Sequence, residues 1–233
     1  MDWPGEVHEA SFLRRYKRFF ADFQKPDGTL ITAHCPNTGS MATCTAENAR
    51  SWVTFHDDPK RKLAYSWQAI ELADGWTGIN TGLANRLVQE AIETGVVDEL
   101  QGYPTLKREQ RYGENSRIDF LLSAPDRADC YVEVKNVTLL LEPGLAGFPD
   151  AVTKRGTKHV QELAAVRRMG GRAVLFFCVQ RASIERVTVA EAFDPEYAAC
   201  LRAAVAEGLE VYAYRADFDQ QGVRLTTQLP VVL

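Results

Sequence analysis

The stretch Arg117–Val137, RIDFLLSAPDRADCYVEVKNV, decides the fold because it carries two strand-forming runs around a Pro-Asp turn. In the first run, Ile118 and Phe120 alternate with charged residues, and in the second run Val132 and Val134 do the same. This alternation with a period of two predicts a β-hairpin. Each of its strands is expected to have one apolar face and one charged face.

The charged faces of this hairpin bring two acidic residues together. A turn centred near Asp126 sets Asp119 directly opposite Glu133, with Cβ atoms about 5 Å apart. At an effective dielectric constant of about 20, two ionised carboxylates at that separation repel by about 3 kcal/mol. Three arrangements relieve the repulsion: protonation of one carboxylate, a bridge by Lys135, or a divalent cation between the two acids.

The pattern of Asp119 followed by Glu133-Val134-Lys135 resembles the D…ExK signature of PD-(D/E)XK nucleases. In such a site, Asp119, Glu133 and the carbonyl of Val134 hold a Mg²⁺ or Mn²⁺ ion that polarises the scissile phosphate. Lys135 then orients the attacking water and helps to deprotonate it. The same triplet also occurs by chance on solvated edge strands, so both interpretations stay open on the pattern alone.

The composition is that of an ordinary soluble protein. The 233 residues are 45% hydrophobic and 25% charged, which is enough for one large or two small domains. No secretory signal stands at the amino terminus, and no apolar run approaches the roughly 20 residues of a membrane helix, so we expect a cytoplasmic protein. The five cysteines include no CxxC pair and are expected to be reduced and structural.

The charge distribution argues against a protein that coats nucleic acid. The net charge is −4, whereas dedicated binders are usually strongly basic. Residues 182–233 carry eight acidic and four basic side chains, so residues 1–181 balance 23 against 23. Any nucleic-acid contact therefore has to use local basic patches.

Short strands separated by turns between residues 11 and 73 predict a small OB-like β-barrel, which we assign to residues 1–75. Aromatic and basic side chains alternate at its start, and this combination suits contact with nucleic acid. The candidate contact residues are Arg14, Arg15, Lys17 and Arg18. A barrel with solvated charges on its outer face explains the same residues equally well.

From Thr81 the apolar spacing becomes helical, with Thr81 able to cap the start of a helix and Gly95 its end. Glu90 lies at the border of the apolar stripe of this helix. In nucleases of this class a glutamate on the first helix can help to hold the metal, so Glu90 is a candidate catalytic residue and metal ligand. A solvated edge residue is the alternative.

The remaining elements complete a second domain over residues 76–233. A strand at 105–112 and a turn at 113–115 precede the acidic hairpin, and a long Gly/Pro-rich loop follows it. The next helix places basic residues at its amino terminus, where they can bind phosphate: Lys154, Arg155, Lys158 and His159. A buried strand, a helix capped by Asp194 and two last strands follow. The order predicts a restriction-endonuclease-like αβββαβ domain with a mixed central sheet, and the whole chain is of the α/β (α+β) class.

Seven blocks of sequence resemble the SfsA, or sugar fermentation stimulation, family: RRYKRFFADF, TAHCPNTGSM, NTGLANRLVQEAI, SRIDFLL, YVEVKNVTL, FPDAVTKRGTKHVQEL and RAVLFFCVQR. The resemblance implies an amino-terminal OB-fold domain, a PD-(D/E)XK nuclease-like domain and DNA binding with little sequence preference. The nuclease motif of the family falls on Asp119, Glu133 and Lys135, with Glu90 on the preceding helix. Arg117-Ile118 stands where the wider superfamily has a proline before the aspartate.

Two main hypotheses about function follow. The first is a Mg²⁺-dependent nuclease that hydrolyses phosphodiester bonds with little sequence specificity. The second is a non-catalytic DNA-binding regulator of sugar (maltose) metabolism, a role that only the family resemblance implies. An enzyme acting on RNA is a third alternative, although DNA is favoured as the partner. Contact with a membrane is not expected, and homodimerisation stays open.

Overall fold

The structure is a computed structural model that describes residues 1–113 and 116–233. Glu114 and Asn115, which belong to the predicted turn after Gly113, lie outside the described residues. Among the residues described, no helix is long and apolar enough to cross a membrane. All five cysteines are free thiols, as expected.

The amino-terminal strands form one curled sheet. They are β1 (Glu6–Tyr16), β2 (Phe20–Gln24), β3 (Leu30–His34), β4 (Arg50–Phe55), β5 (Tyr65–Leu72) and β6 (Gly75–Gly78). The strand order is β3-β2-β1-β4-β5-β6, and β3 also pairs in parallel with β5. This extra pairing closes a ring of five strands, which confirms the predicted OB-like fold. Phe12, Phe23 and Trp67 fill its core.

The rest of the chain holds ten strands and three α-helices among the described residues. The helices are α1 (Ala84–Glu93), α2 (Lys154–Arg168) and α3 (Pro195–Ala206). The strands are β7 (Thr105–Tyr112), β8 (Ser116–Ala124), β9 (Arg127–Val137), β10 (Leu139–Glu142), β11 (Leu145–Phe148), β12 (Arg172–Val179), β13 (Arg186–Val189), β14 (Glu210–Phe218), β15 (Val223–Leu229) and β16 (Val231–Val232).

A six-stranded mixed sheet is the centre of this part, in the order β15-β14-β12-β9-β8-β7. Strands β9, β12 and β14 run parallel, and antiparallel strands flank them on both sides. Helix α1 packs in the core on one face of the sheet, and α2 and α3 pack in the core on the other. The predicted αβββαβ order and the mixed sheet are therefore confirmed.

A third sheet corrects the prediction of a long loop after the acidic hairpin. Strands β10 and β11 form a short hairpin there, with Gly144 in its turn at φ +76°. Strand β11 then pairs in parallel with β13, and β13 pairs with β16. The Gly/Pro-rich composition hid the local β10–β11 hairpin, and the second partner of β11, strand β13, lies far along the chain.

The acidic hairpin has the predicted register except beside the turn, where Ala124 pairs with Arg127 and the register shifts by one residue. Leu122 pairs with Cys130 and Phe120 with Val132, on either side of a two-residue loop. The expectation of a single apolar face for β8 is wrong, however. Ile118 packs in the core with α2 and α3, whereas Phe120 packs in the core with α1. Asp119 lies between these two side chains, where β8 passes from one core cluster to the other.

The helix ends agree with the prediction at most positions. Asp194 accepts a hydrogen bond from the N–H of Tyr197 at 3.0 Å and caps α3. The predicted cap of the first helix is wrong, because the Asn80 side chain accepts the bond from Gly82 N at 3.1 Å. The Thr81 hydroxyl instead donates to the carbonyl of Pro36 at 3.1 Å, which attaches the start of this helix to the barrel.

Candidate active site

Asp119 lies where strands β8 and β9 stop pairing. The described ladder between them reaches no further than Phe120 and Val132. Beyond it, Asp119 Oδ2 accepts a hydrogen bond from the backbone N–H of Val134 at 2.7 Å. Because the N–H and C=O of one strand residue point to the same edge, the carbonyl of Val134 also faces the side of Asp119. The second oxygen, Oδ1, accepts a bond from Asn85 Nδ2 of α1 at 2.7 Å.

Glu133 is the most buried acid of the group, with only 3% of its surface exposed. Its Oε1 pairs with Lys135 Nζ at 2.6 Å and with His159 Nδ1. Lys135 Nζ also lies 3.2 Å from His159 Nδ1. The other oxygen, Oε2, is buried and has no hydrogen-bond partner among the described residues. The structure therefore brings Asp119, Glu133 and Lys135 together, as the sequence predicted.

The two carboxylates have opposite pKa shifts. Burial raises the pKa of Asp119, and the charge of Glu133 raises it further, against the bonds from Val134 and Asn85. Burial also opposes ionisation of Glu133. The hydrogen bond with His159 and the charge of Lys135 outweigh that burial, and they hold the pKa of Glu133 below its ordinary value. Glu133 is thus ionised at neutral pH, whereas Asp119 forms no ion pair with any described residue, and the charge of Lys135 lowers its pKa only in part.

His159 lies in this group and not on the phosphate-binding surface where the sequence placed it. It is 6% exposed, and Arg155 Nε donates to its Nε2 at 3.4 Å. With Nε2 accepting from Arg155, it is Nδ1 that carries a proton, and this proton points toward Glu133. A sequence signal for this position exists, because Gly156, Val160 and Leu163 are buried on the same helical stripe.

Glu90 is not brought to the site. Its Oε2 accepts a hydrogen bond from the amino group of Met1 at 2.9 Å. The α1 residue that reaches the site is Asn85. Glu90 lies five positions further along the helix, so its side chain is rotated by about 140° around the helix axis from that of Asn85. The helical pattern placed Glu90 at the edge of the apolar stripe, but it could not tell which edge faces Asp119.

Two tyrosines, the half-buried Tyr112 and the buried Tyr197, also lie near Glu133 and were missed from the sequence. Burial raises the pKa of Tyr112, and the negative charges of Glu133 and nearby acids raise it further. Burial likewise raises the pKa of Tyr197, with smaller contributions from Cys200 and Glu133. Both hydroxyls are buried without a partner among the described residues. Tyr197 is far from the acidic hairpin in sequence, and Tyr112, on the strand directly before the hairpin, belongs to no motif that joins it to the acids.

The residues present fit a divalent cation. No group of three His, Cys, Asp or Glu side chains in the described part of the chain is arranged to hold a metal. Mg²⁺, however, is commonly held by one or two carboxylates together with water and substrate phosphate. The unpartnered Oε2 of Glu133, the carboxylate of Asp119 and the carbonyl of Val134 are oxygen donors of that kind.

The predicted phosphate contacts on α2 are at the surface, apart from His159. Lys154, Arg155 and Lys158 are exposed in the first turns of the helix. Thr153 caps this helix by accepting a bond from Gly156 N at 3.1 Å. Because Arg155 also contacts His159, the basic surface and the acidic group are directly connected.

The predicted basic contacts of the barrel fall into two kinds. Arg15 donates to the backbone carbonyls of Asn37 and Gly39 at 2.9 and 3.2 Å, so it supports the neighbouring loop. Arg14 is exposed and pairs with Asp22 at 2.8 Å. Lys17 and Arg18 are exposed at the turn between β1 and β2, where both have positive φ. Three of the four side chains are thus open to solvent.

Comparison with known proteins agrees with this architecture. The family model described as "SfsA N-terminal OB domain" matches residues 13–79, and the one described as "Sugar fermentation stimulation protein RE domain" matches residues 82–222. The sugar fermentation stimulation protein homologue of Geotalea uraniireducens is 52% identical over 231 residues and covers 99% of both chains. The homologue of Geobacter metallireducens is 53% identical over 236 residues and covers 100% of both.

A solved structure shares the whole fold. SfsA of Pyrococcus furiosus, determined in complex with Ca²⁺, superposes with a TM-score of 0.88 at 26% identity. The superposition covers 100% of this chain and 98% of the Pyrococcus chain. The two matching family models, the homologues at about half identity and this superposition agree with one another, and the chain therefore belongs to the sugar fermentation stimulation protein (SfsA) family.

Proposed function

We propose that this protein hydrolyses phosphodiester bonds in DNA, with Mg²⁺ or Mn²⁺ and with little sequence specificity. The observation that carries the proposal is the end of the β8–β9 ladder, where Asp119 and Glu133 meet beside Lys135. The Ca²⁺ complex of Pyrococcus furiosus SfsA supports the binding of a divalent cation here. Glu90 has no place in the proposed metal site, because it pairs with the amino group of Met1.

The protein groups at the site have separable roles. A bound divalent cation would polarise the scissile phosphate and stabilise the negative charge that develops on it. Asp119, the Oε2 of Glu133 and the Val134 carbonyl would hold that cation. Lys135, whose ammonium is already beside Glu133, would orient the attacking water and help to deprotonate it.

His159 has a positioning role in this proposal. It bonds to the same oxygen of Glu133 as Lys135 does, and this leaves Oε2 as the oxygen without a partner. A fixed carboxylate orientation is what a metal ligand requires from the residues around it. His159 therefore orients Glu133 and does not itself contact substrate.

The DNA backbone would contact basic side chains on both parts of the chain. We assign residues 1–75 to a barrel domain and residues 76–233 to a nuclease-like domain, with β6 completing the barrel sheet at the boundary. Lys154, Arg155 and Lys158 would bind phosphates next to the site, and exposed Arg14, Lys17 and Arg18 would extend the contact. Contacts of this type are independent of sequence.

A DNA-binding regulator without turnover is the second candidate. One observation favours it: Lys135 already neutralises the charge of Glu133 without any metal, and His159 bonds to the same carboxylate oxygen. On this view the acidic group is a satisfied ion-pair network, and the basic surfaces alone explain DNA binding. The regulatory role in sugar metabolism would belong to this candidate.

A cleavage assay separates the two candidates. Supercoiled, single-stranded and duplex DNA are incubated with the wild type in Mg²⁺, in Mn²⁺ and in EDTA. We expect cleavage only with metal, and none by Asp119→Asn. Asp126→Asn is the matched control, because that carboxylate is exposed at the hairpin tip and should leave the rate unchanged. A wild type that binds DNA but never cuts it would favour the regulator.

A further inference from the structure

A groove of about 510 Å³ runs beside the candidate active site, between α2 and the edge of the central sheet. Its floor is largely apolar and includes the rings of Tyr112 and Tyr131. Met169, which is 79% exposed, lies at the end of α2 and lines the groove as well. Arg111 and Lys158 are exposed on its rim. Neither the nuclease proposal nor the family comparison assigns a ligand to this groove.

The groove adjoins the acidic group. Tyr131, Glu133 and Lys135 alternate along β9 and share one face, with about 7 Å between successive members. Tyr131 is therefore the neighbour of Glu133 on the same face of β9, two residues earlier in the strand. Tyr112 lies against Tyr131, with the two ring centroids 5.8 Å apart, so it adjoins the same group. A ligand in the groove would thus lie next to a phosphate bound at Glu133.

The two aromatic rings form one continuous wall. The ring centroids of Tyr112 and Tyr131 are 5.8 Å apart, and the ring planes are inclined by 39°. Both side chains are half-buried, with one side against the core and the other toward the groove. Aromatic surfaces of this kind stack on nucleobases with little dependence on sequence, because every base has a π-face.

The rim has the charge that a nucleic-acid strand requires. Arg111 and Arg117 line an adjoining recess, so positive side chains continue beyond the groove on the sheet side. Lys158 stands on the opposite side, 3.7 Å from Glu162 and half-exposed. Aromatic walls between basic side chains are typical of sites that bind unpaired strands.

Building on the proposed function, we infer that this groove binds an unpaired nucleobase adjacent to the scissile phosphate. The base stacks on Tyr131 and Tyr112, and its flanking phosphates pair with Arg111 and Lys158. A base within a regular duplex stacks on its neighbours and cannot present a face to these rings, so it must first leave the helix. The favoured substrates are therefore single strands and duplexes that contain an unpaired nucleotide.

The test compares three duplexes that differ at one position, bound to the full chain in EDTA so that no cleavage occurs. The first is fully paired, the second carries one bulged adenosine, and the third carries an abasic residue in the bulge. We expect the wild type to bind the bulged adenosine about tenfold more tightly than the other two, since stacking of one base on an aromatic side chain contributes about that factor.

Variants locate the effect in the groove. Tyr131→Leu keeps an apolar side chain against the core but removes the ring, so it should abolish the preference for the bulge. Tyr131→Phe should retain the preference, which shows that any loss in the leucine variant is a loss of stacking. Tyr103→Leu removes a partly buried tyrosine that does not line the groove, and it should behave as the wild type.

The outcomes separate this inference from the proposed function. Equal affinity of the wild type for all three duplexes, or an unchanged preference in Tyr131→Leu, overturns the inference while leaving metal-dependent cleavage intact. A protein that binds none of the three overturns the inference and the proposed function together. Thermal melting of each variant identifies any loss of affinity that comes from loss of the fold.

Discussion

Asp119 accepts a hydrogen bond from the backbone N–H of Val134 at 2.7 Å, at the point where their two strands cease to pair. The Asp119 carboxylate thus accepts the bond that a backbone carbonyl would accept if the two strands continued to pair. This bond holds the carboxylate close to Glu133. Burial and the charge of Glu133 raise the pKa of this carboxylate, so its ionised form is unfavourable in the folded protein. The position serves the site at the expense of stability.

Asp119→Asn should therefore stabilise the metal-free protein by about 1 kcal/mol at neutral pH. The amide oxygen can still accept from Val134, and the neutral group removes the repulsion from Glu133. Because the folded pKa of Asp119 is raised, the gain is largest above that pKa and disappears as the pH falls below the unfolded value. Urea unfolding in EDTA at several pH values measures this. Destabilisation at neutral pH would contradict the assignment.

In the presence of a divalent metal, the wild type should become more stable than Asp119→Asn. Mg²⁺ or Mn²⁺ binds the folded wild type and should raise its free energy of unfolding, by about 2.7 kcal/mol at a concentration of 100 times Kd. Asp119→Asn should show no such gain. Calorimetric titration of the wild type, Asp119→Asn and the control Asp126→Asn provides the affinities. Equal metal affinity in the wild type and Asp119→Asn would remove this site from consideration.

Binding to DNA should be tolerant of sequence and steeply dependent on salt, because the assigned contacts are to phosphates. Replacing Lys154, Arg155 and Lys158 together by glutamine should reduce the slope of log K against log salt by about 2.7, if each residue contacts one phosphate of B-DNA. Fluorescence anisotropy over a range of salt concentrations measures the slope.

A triple glutamine variant of Arg186, Arg202 and Arg224 is the matched control for net charge. Each of these arginines pairs with a surface carboxylate, and the variant should keep the wild-type slope. An unchanged slope in the α2 variant would instead place the DNA contact on the barrel, at Arg14, Lys17 and Arg18.

Lys135→Ala should abolish cleavage and leave DNA affinity nearly unchanged, because the lysine is assigned to the water and the transition state. The alternative makes Lys135 a structural partner of Glu133, since the two are 2.6 Å apart. In that case the variant should chiefly lose about 1 to 3 kcal/mol of stability. Cleavage, affinity and melting temperature of one preparation separate these roles. If the wild type never cuts and the variant only melts earlier, the regulator hypothesis stands.

His159→Ala should lower the cleavage rate by about 10- to 100-fold, the usual range when a residue that orients a metal ligand is lost. His159→Asn should recover part of the rate, because its amide N–H can replace Nδ1 as the donor to Glu133. Single-turnover rates at saturating DNA, measured across metal concentrations, report the positioning role. Equal rates for both variants and the wild type would show that the His159–Glu133 contact is structural only.

Several features of the fold and the site were predictable because they depend on local sequence. The period-two alternation of the hairpin, with its Pro-Asp turn, placed Asp119 opposite Glu133, and the three pairs from Phe120–Val132 to Leu122–Cys130 have that register. Cap residues such as Asp194 indicated where a helix begins. The position of Lys135 beside Glu133 was also predictable, because residues two apart on a strand lie on the same face.

Tertiary packing alone decided which helical side chains complete the site. The apolar stripe of α1 showed which face is buried, but the rotation at which that face meets the sheet set Asn85 against Asp119 and turned Glu90 toward Met1. His159 lay on a basic segment in sequence, and only the docking of α2 on the sheet brought it to Glu133. The third sheet likewise depends on the parallel pairing of β11 with β13, strands separated by a whole helix and strand. Local periodicity sets the direction of a side chain relative to its own element, whereas its partners depend on how distant elements pack together.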